Sequence, residues 1–186
     1  MYIIKLVDTL GDITIVLPIR FDTSFTWTHH SDCGKPCDKI KYRFQPKFLP
    51  ITQESGWLWL GEPKDSIERF TISHSGYFPF HETKDSSFIV KFQEYQKHNI
   101  LSEFPLSSKL TLDSFEKIGD RYFSVVTVNF HDTIKARYLK KIWATTTIKS
   151  NIVEFRFELL TKQRDSLKDN FIENSKYYLR TIRISK

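Results

Sequence analysis

The side chains best suited to chemistry gather in one stretch, His29-His30-Ser31-Asp32-Cys33-Gly34-Lys35-Pro36-Cys37. Imidazole, thiolate and carboxylate groups are the ligands zinc prefers, four of them in tetrahedral array. Cys33 and Cys37 have the loosest finger spacing. The second pair would have to be His29 and His30, adjacent residues that point apart in extended chain, and no Cys or His pair follows downstream. The stretch therefore reads as a polar surface loop without a metal. A turn at Gly34-Lys35-Pro36 would bring the two cysteine Cα atoms within the ~7 Å a disulfide needs. The sequence leaves that bond open, because neighbouring thiols suit a reducing compartment and would equally close a small loop in an oxidising one.

A second pair of bases, His74 and His81, flanks Ser75-Gly76-Tyr77-Phe78-Pro79-Phe80. Hydrolysis through a serine needs the nucleophile on a sharp, strained turn, and no Gly-x-Ser-x-Gly occurs. His74 shares strand parity with Phe70 and Ile72, which places it at the edge of a core. Phosphate loops, dinucleotide fingerprints, His-Glu-x-x-His and calcium loops are also missing from the sequence. No cofactor is expected and no catalytic residue is assigned. A hydrolase-like enzyme using His74, His81 or the His29–Cys37 loop stands as the alternative.

Binding is better supplied. Trp57 and Trp59 are two residues apart and share a strand face, inside a Pro- and Gly-rich stretch between Pro50 and Pro63. Tryptophans are strong interface anchors; the competing reading packs both on the core. Lys39, Lys41 and Arg43 alternate with Ile40, Tyr42 and Phe44, giving one basic and one apolar face. The formal charge is +6, concentrated from Lys109 onward, where 16 Lys and Arg face 9 Asp and Glu. Such a balance favours an acidic partner. Nucleic acid would want exposed aromatics beside the cations. The aromatics mostly take the opposite, core parity, so nucleic acid is not expected.

These residues need a scaffold, and alternation supplies it. Ile13, Ile15 and Leu17 mark a strand over 12–17, ended by Pro18. Phe25 and Trp27 mark a short one, 39–44 another, Trp57 to Leu60 another, and 67–74 another with Phe70 and Ile72 inward. Residues 86–98 carry Ile89, Phe92 and Gln96 at helical spacing, which favours a helix, while their β-branched and aromatic content argues for a strand. Strands over 109–115, 121–130, 136–148 and 152–160 with short links predict an antiparallel meander. In the last, Val153, Phe155, Phe157 and Leu159 face in and Glu154, Arg156 and Glu158 face out, the charges pairing across strands. A helix from Asp165 or Ser166 to about Leu179, with Phe171 on its apolar stripe, leads into a closing strand at 181–184.

Aromatic richness, 15% of the chain, excludes low-complexity disorder. At 186 residues one domain, 1–186, can bury roughly 70% of its unfolded surface. No run approaches a membrane span, and residues 1–7 are too short and too interrupted for a leader. The expectation is a cytoplasmic protein, or an exported one had a leader been removed.

The last third resembles the fold family of the photosystem oxygen-evolving extrinsic protein PsbP and its bacterial relatives. The residues that carry the likeness are Arg121-Tyr122-Phe123-Ser124-Val125, Ile142-Trp143-Ala144-Thr145-Thr146-Thr147, Asn151-Ile152-Val153-Glu154-Phe155-Arg156-Phe157, and the ending from Phe171-Ile172-Glu173 to Tyr178-Leu179-Arg180-Thr181-Ile182-Arg183-Ile184. The resemblance implies an antiparallel sheet between helices, with binding or assembly roles more than catalysis.

The expected fold is thus α+β: a twisted antiparallel sheet of six or more strands with helices packed on it, α/β/α sandwich-like. The expected role is non-enzymatic protein binding, of the kind served by bacterial immunity or assembly proteins. The expected surface is Trp57, Trp59, Lys39, Lys41 and Arg43.

Overall fold

The computed structural model describes residues 1–6, 10–34, 37–49, 66–75, 90, 93–94, 97–98, 109–133, 136–149, 151–162 and 169–185. Among the described residues, ten strands and one continuous helix follow one another as β1 (Tyr2–Lys5), β2 (Asp12–Ile15), β3 (Thr23–His29), β4 (Lys39–Gln45), β5 (Ser66–Ser75), β6 (Lys109–Ile118), β7 (Arg121–Asp132), β8 (Arg137–Ile148), β9 (Asn151–Thr161), α1 (Phe171–Arg180) and β10 (Arg183–Ser185).

The strands form two antiparallel sheets. One has seven strands in the order β3-β4-β5-β9-β8-β7-β6, the other three in the order β1-β2-β10. The expected meander is present as β6 to β9. Its tight turns use backbone that ordinary residues resist: Gly119 sits at φ +63° between β6 and β7, and Lys149 at φ +46° between β8 and β9. Only glycine adopts such a φ without steric cost.

The α+β, α/β/α sandwich-like expectation is overturned, because the protein is mostly β. The N-terminal residues explain the difference. Where the sequence shows one strand, over 12–17, the structure has β2 and, before it, β1; β1 pairs with one edge of β2 and β10 with the other. Their apolar residues Ile4, Ile13 and Ile15 then cover the large sheet where a helical layer was expected. They share a single core with Phe44, Phe70, Phe123, Phe155 and Phe157. Tyr2 fixes the contact: its ring meets Phe44 edge-on at 5.1 Å, and its hydroxyl donates to the Phe21 carbonyl at 2.6 Å.

Helix α1 packs beside this sheet on the same core. Phe171, Ser175 and Leu179, four residues apart, are its buried positions, and the Tyr178 ring lies 6.2 Å from Phe157. Its expected start at Asp165 or Ser166 lies outside the described residues, and Asp169 is helical. Asn170 is its N-cap and makes no side-chain cap bond. The Lys140 ammonium, rising from β8, donates to the Asp169 carbonyl at 3.1 Å and anchors that end. At the other end the Thr181 hydroxyl donates to the Tyr178 carbonyl and accepts from the Val16 amide. One side chain thus closes the helix and ties it to the small sheet. Within the expected helix at 86–98, the described residues Val90, Gln93, Glu94, Lys97 and His98 are helical.

Burial of Phe171 on the core makes the helix dependent on it. Phe171→Ala should cost about 3–5 kcal/mol in urea-induced unfolding followed by circular dichroism. An unchanged midpoint and slope would show that α1 does not dock as described.

Candidate functional site

The face of the large sheet turned away from the main core carries the unusual chemistry. Lys39, Lys41 and Arg43 project to it from β4, as their alternation predicts. The hairpin register then places aromatics opposite the cations: Phe25 pairs with Arg43, Trp27 with Lys41 and His29 with Lys39. The Arg43 guanidinium lies 4.9 Å from the Trp27 ring centre and 5.6 Å from that of Phe25, and the two rings stack at 5.3 Å. Lys41 adds a second cation over Trp27 at 5.7 Å. Each such contact is worth about 0.5–2 kcal/mol, the more so when water is excluded.

The rows continue across the sheet. Arg43 faces Thr71, Thr71 faces Arg156, and Arg156 faces Trp143. The Arg156 guanidinium lies 4.0 Å over the Trp143 ring and donates to Glu154 at 2.7 Å. Glu154 also accepts from the Ser73 hydroxyl at 3.0 Å and lies 3.7 Å from the Lys39 ammonium. One row on, Glu158 stands directly between Arg69 and Lys141, at 2.6 Å and 3.1 Å. From β4 to β9 this face holds Lys39, Lys41, Arg43, Arg69 and Arg156 against Glu154 and Glu158, and β8 adds Lys141 and an Arg137 that is matched by Asp132 on β7, which leaves a positive excess among these strands.

Burial tunes both carboxylates. It would raise the Glu154 carboxyl, but the charges of Arg156 and Lys39 and the Ser73 hydrogen bond outweigh it, and the group lies below its ordinary value. Burial acts the same way on Glu158. There Lys141, Arg69 and Arg156 hold the group well below the carboxylate range. Both glutamates are ionised acceptors at neutral pH and unsuited to donate a proton.

Sequence reasoning finds the cross-strand pairing of Glu154, Arg156 and Glu158 but places these residues on a solvated face. Arg43 is 1% exposed, and Glu154 is buried too. The accessible part of the site is its β3–β4 end, where Phe25, Trp27 and Lys41 are half-buried and the Lys39 side chain is 43% exposed. Phe25 and Trp27 are the residues of this face that the sequence reading missed. Their parity is visible within β3, but the register that turns them toward the cations is a property of two strands. Trp57 and Trp59 lie outside the described residues.

The His29–Cys37 loop caps this same hairpin. Cys33 and Cys37 form a disulfide, their Cα atoms 5.9 Å apart, so neither offers a thiolate to a metal. Asp38 closes the base of the loop, accepting from the Ser31 amide at 2.9 Å and pairing with His30 Nδ1 at 2.9 Å. The Ser31 amide, then His30, lower its carboxyl. Gly34, at φ +87°, donates to the Ser31 carbonyl and accepts from the Cys37 amide. Among the described residues no three His, Cys, Asp or Glu side chains converge as a metal site.

His74 lies in the core at 1% exposed, stacked on Tyr42 at 5.9 Å. In that position it has no access to a substrate. His81 lies outside the described residues. No helix among the described residues is long and apolar enough to cross a membrane. The chain matches no protein-family model and no curated protein sequence.

Because folding favours the ionised form of both glutamates, their contribution is fully present above the ordinary value of 4.5 and is lost as pH falls through the lower folded values. Glu158→Gln leaves Arg69 and Lys141 uncompensated and should cost about 3–5 kcal/mol at neutral pH. The loss should shrink in acid as the wild type protonates. Urea titrations across pH test this; a variant matching the wild type at every pH would remove the ion-pair account.

Proposed function

We propose that the protein is a non-enzymatic protein-binding module, of the immunity or assembly kind, that takes an acidic partner on the β3–β4 end of its cation–aromatic face. The observation that carries this reading is the register of Phe25 and Trp27 against Arg43 and Lys41. It builds a rigid aromatic platform with fixed positive charge beneath and beside it. Aromatic and arginine side chains are the groups that dominate interface energies, and a positive excess steers an acidic protein to the surface. The ionised state of Glu154 and Glu158 supports the same reading, since their proton affinity is set to hold cations in place and neither is a base poised near neutrality. The burial of His74 argues against the hydrolase alternative. The likeness of the last third to the PsbP family points the same way, toward assembly.

Charge-steered binding weakens with ionic strength, because the screening length falls from ~10 Å at 0.1 M to ~3 Å at 1 M salt. A pull-down from native lysate should retain an acidic protein at low salt and release it at high salt. Lys39→Gln combined with Lys41→Gln, checked for a cooperative thermal melt, should lose that protein. A folded double variant that retains every partner of the wild type would place the binding surface elsewhere.

A further inference from the structure

A second site lies at the seam of the two sheets, remote from the hairpin. The β6–β7 turn, Gly119-Asp120, and the chain entering β10 bound a cleft of about 250 Å³ lined by Ile118, Asp120, Arg121, Ile182, Arg183 and Ile184 together with Gly119. Its size falls just below the usual range for small-molecule clefts. Its walls are contrasting. Ile118 and Ile182 are buried and Ile184 half-buried, which gives an apolar floor, and two guanidinium groups stand around it.

Neither guanidinium is a loose surface charge. Arg183 donates through one nitrogen to the Ile182 carbonyl at 2.7 Å and the Arg180 carbonyl at 3.0 Å. Arg121 donates through one nitrogen to the Thr147 carbonyl at 2.9 Å. Each is thereby oriented with donors left over, since a guanidinium carries five N–H groups. The Arg121 Nε is itself buried, with an Asp120 carboxylate oxygen 4.0 Å away, so an anion in the cleft would meet the terminal nitrogens of the two guanidinium groups.

We infer that this cleft binds a small monocarboxylate with a short aliphatic body, its carboxylate on Arg121 and Arg183 and its chain on Ile118, Ile182 and Ile184. Arginine forks match a carboxylate in geometry, and the isoleucines give the aliphatic part a dry contact. Asp120 decides the charge of the ligand. Its side chain is 80% exposed at the rim of the cleft and repels a dianion such as phosphate more than a monoanion.

The test is an amide chemical-shift titration of the ¹⁵N-labelled full chain with hexanoate, with hexanol and inorganic phosphate run in parallel. Hexanoate should shift the amides of 118–121 and 182–184 to saturation and bind more tightly than either comparison ligand. Arg183→Gln should weaken hexanoate roughly tenfold. Asp120→Asn, at an exposed position that leaves the fold alone, should tighten hexanoate and bring phosphate closer to it. Four results would each overturn the assignment: no saturable shift with hexanoate, hexanol binding as tightly, phosphate binding more tightly to the wild type, or an Arg183→Gln protein of unchanged affinity.

Discussion

Two glutamates on one strand must ionise in a face from which water is largely shut out. Glu154 and Glu158 satisfy that demand only because β9 is flanked on both sides: Arg69 on β5 and Lys141 on β8 stand directly opposite Glu158, while Lys39 and Arg156 serve Glu154. The pairing depends on register to the residue. A slip of one position would turn Val153, Phe155 and Phe157 outward and drive the carboxylates into the core, since side chains alternate with a period of two. The apolar and ionic faces of β9 therefore enforce the same alignment from opposite sides. The rest of the large sheet inherits that alignment through β5 and β8.

The aromatic rows follow from this alignment. With Thr71 held opposite Arg156 and Arg43 opposite Thr71, Arg43 stands over Trp27 and Arg156 over Trp143. A cation stacked on an indole keeps its charge while shedding water from one side, which is how a residue as polar as Arg43 comes to be buried. On the opposite face, stacked Phe70 and Phe157, 4.3 Å apart, support the core that β2 and α1 close.

Much of the architecture is legible in the sequence because it rests on local alternation. Ile40, Tyr42 and Phe44 separate one face of β4 from Lys39, Lys41 and Arg43 without any knowledge of neighbours, and the same holds for β5 and for the four strands of the meander. The turns at Gly119 and Lys149 are equally local. What could not be read is what depends on two segments at once. Nothing near Ile13 and Ile15 states that their strand pairs with Tyr2–Lys5 and with Arg183–Ser185, so a second sheet was taken for helical cover. Nothing near Trp27 states that it faces Lys41. The burial of Arg43 is opaque for the same reason: its alternation with Tyr42 and Phe44 marks a boundary face, and only the aromatic partners on β3 reveal that the boundary lies inside the protein.

The middle strand of the small sheet holds β1 on one edge and β10 on the other, and the bond from the Val16 amide to Thr181 spans 165 positions of the chain. Contacts that distant in sequence form late, because the loop must close before the contact repays its entropy. As the chain emerges from the ribosome, β1 and β2 can pair at once and the meander soon after. The far edge of β2 waits, unpaired, until Arg183–Ser185 have been made. An open edge of that kind invites pairing with other chains. The three residues of β10, few as they are, thus close an edge that stands open from the moment β2 is made.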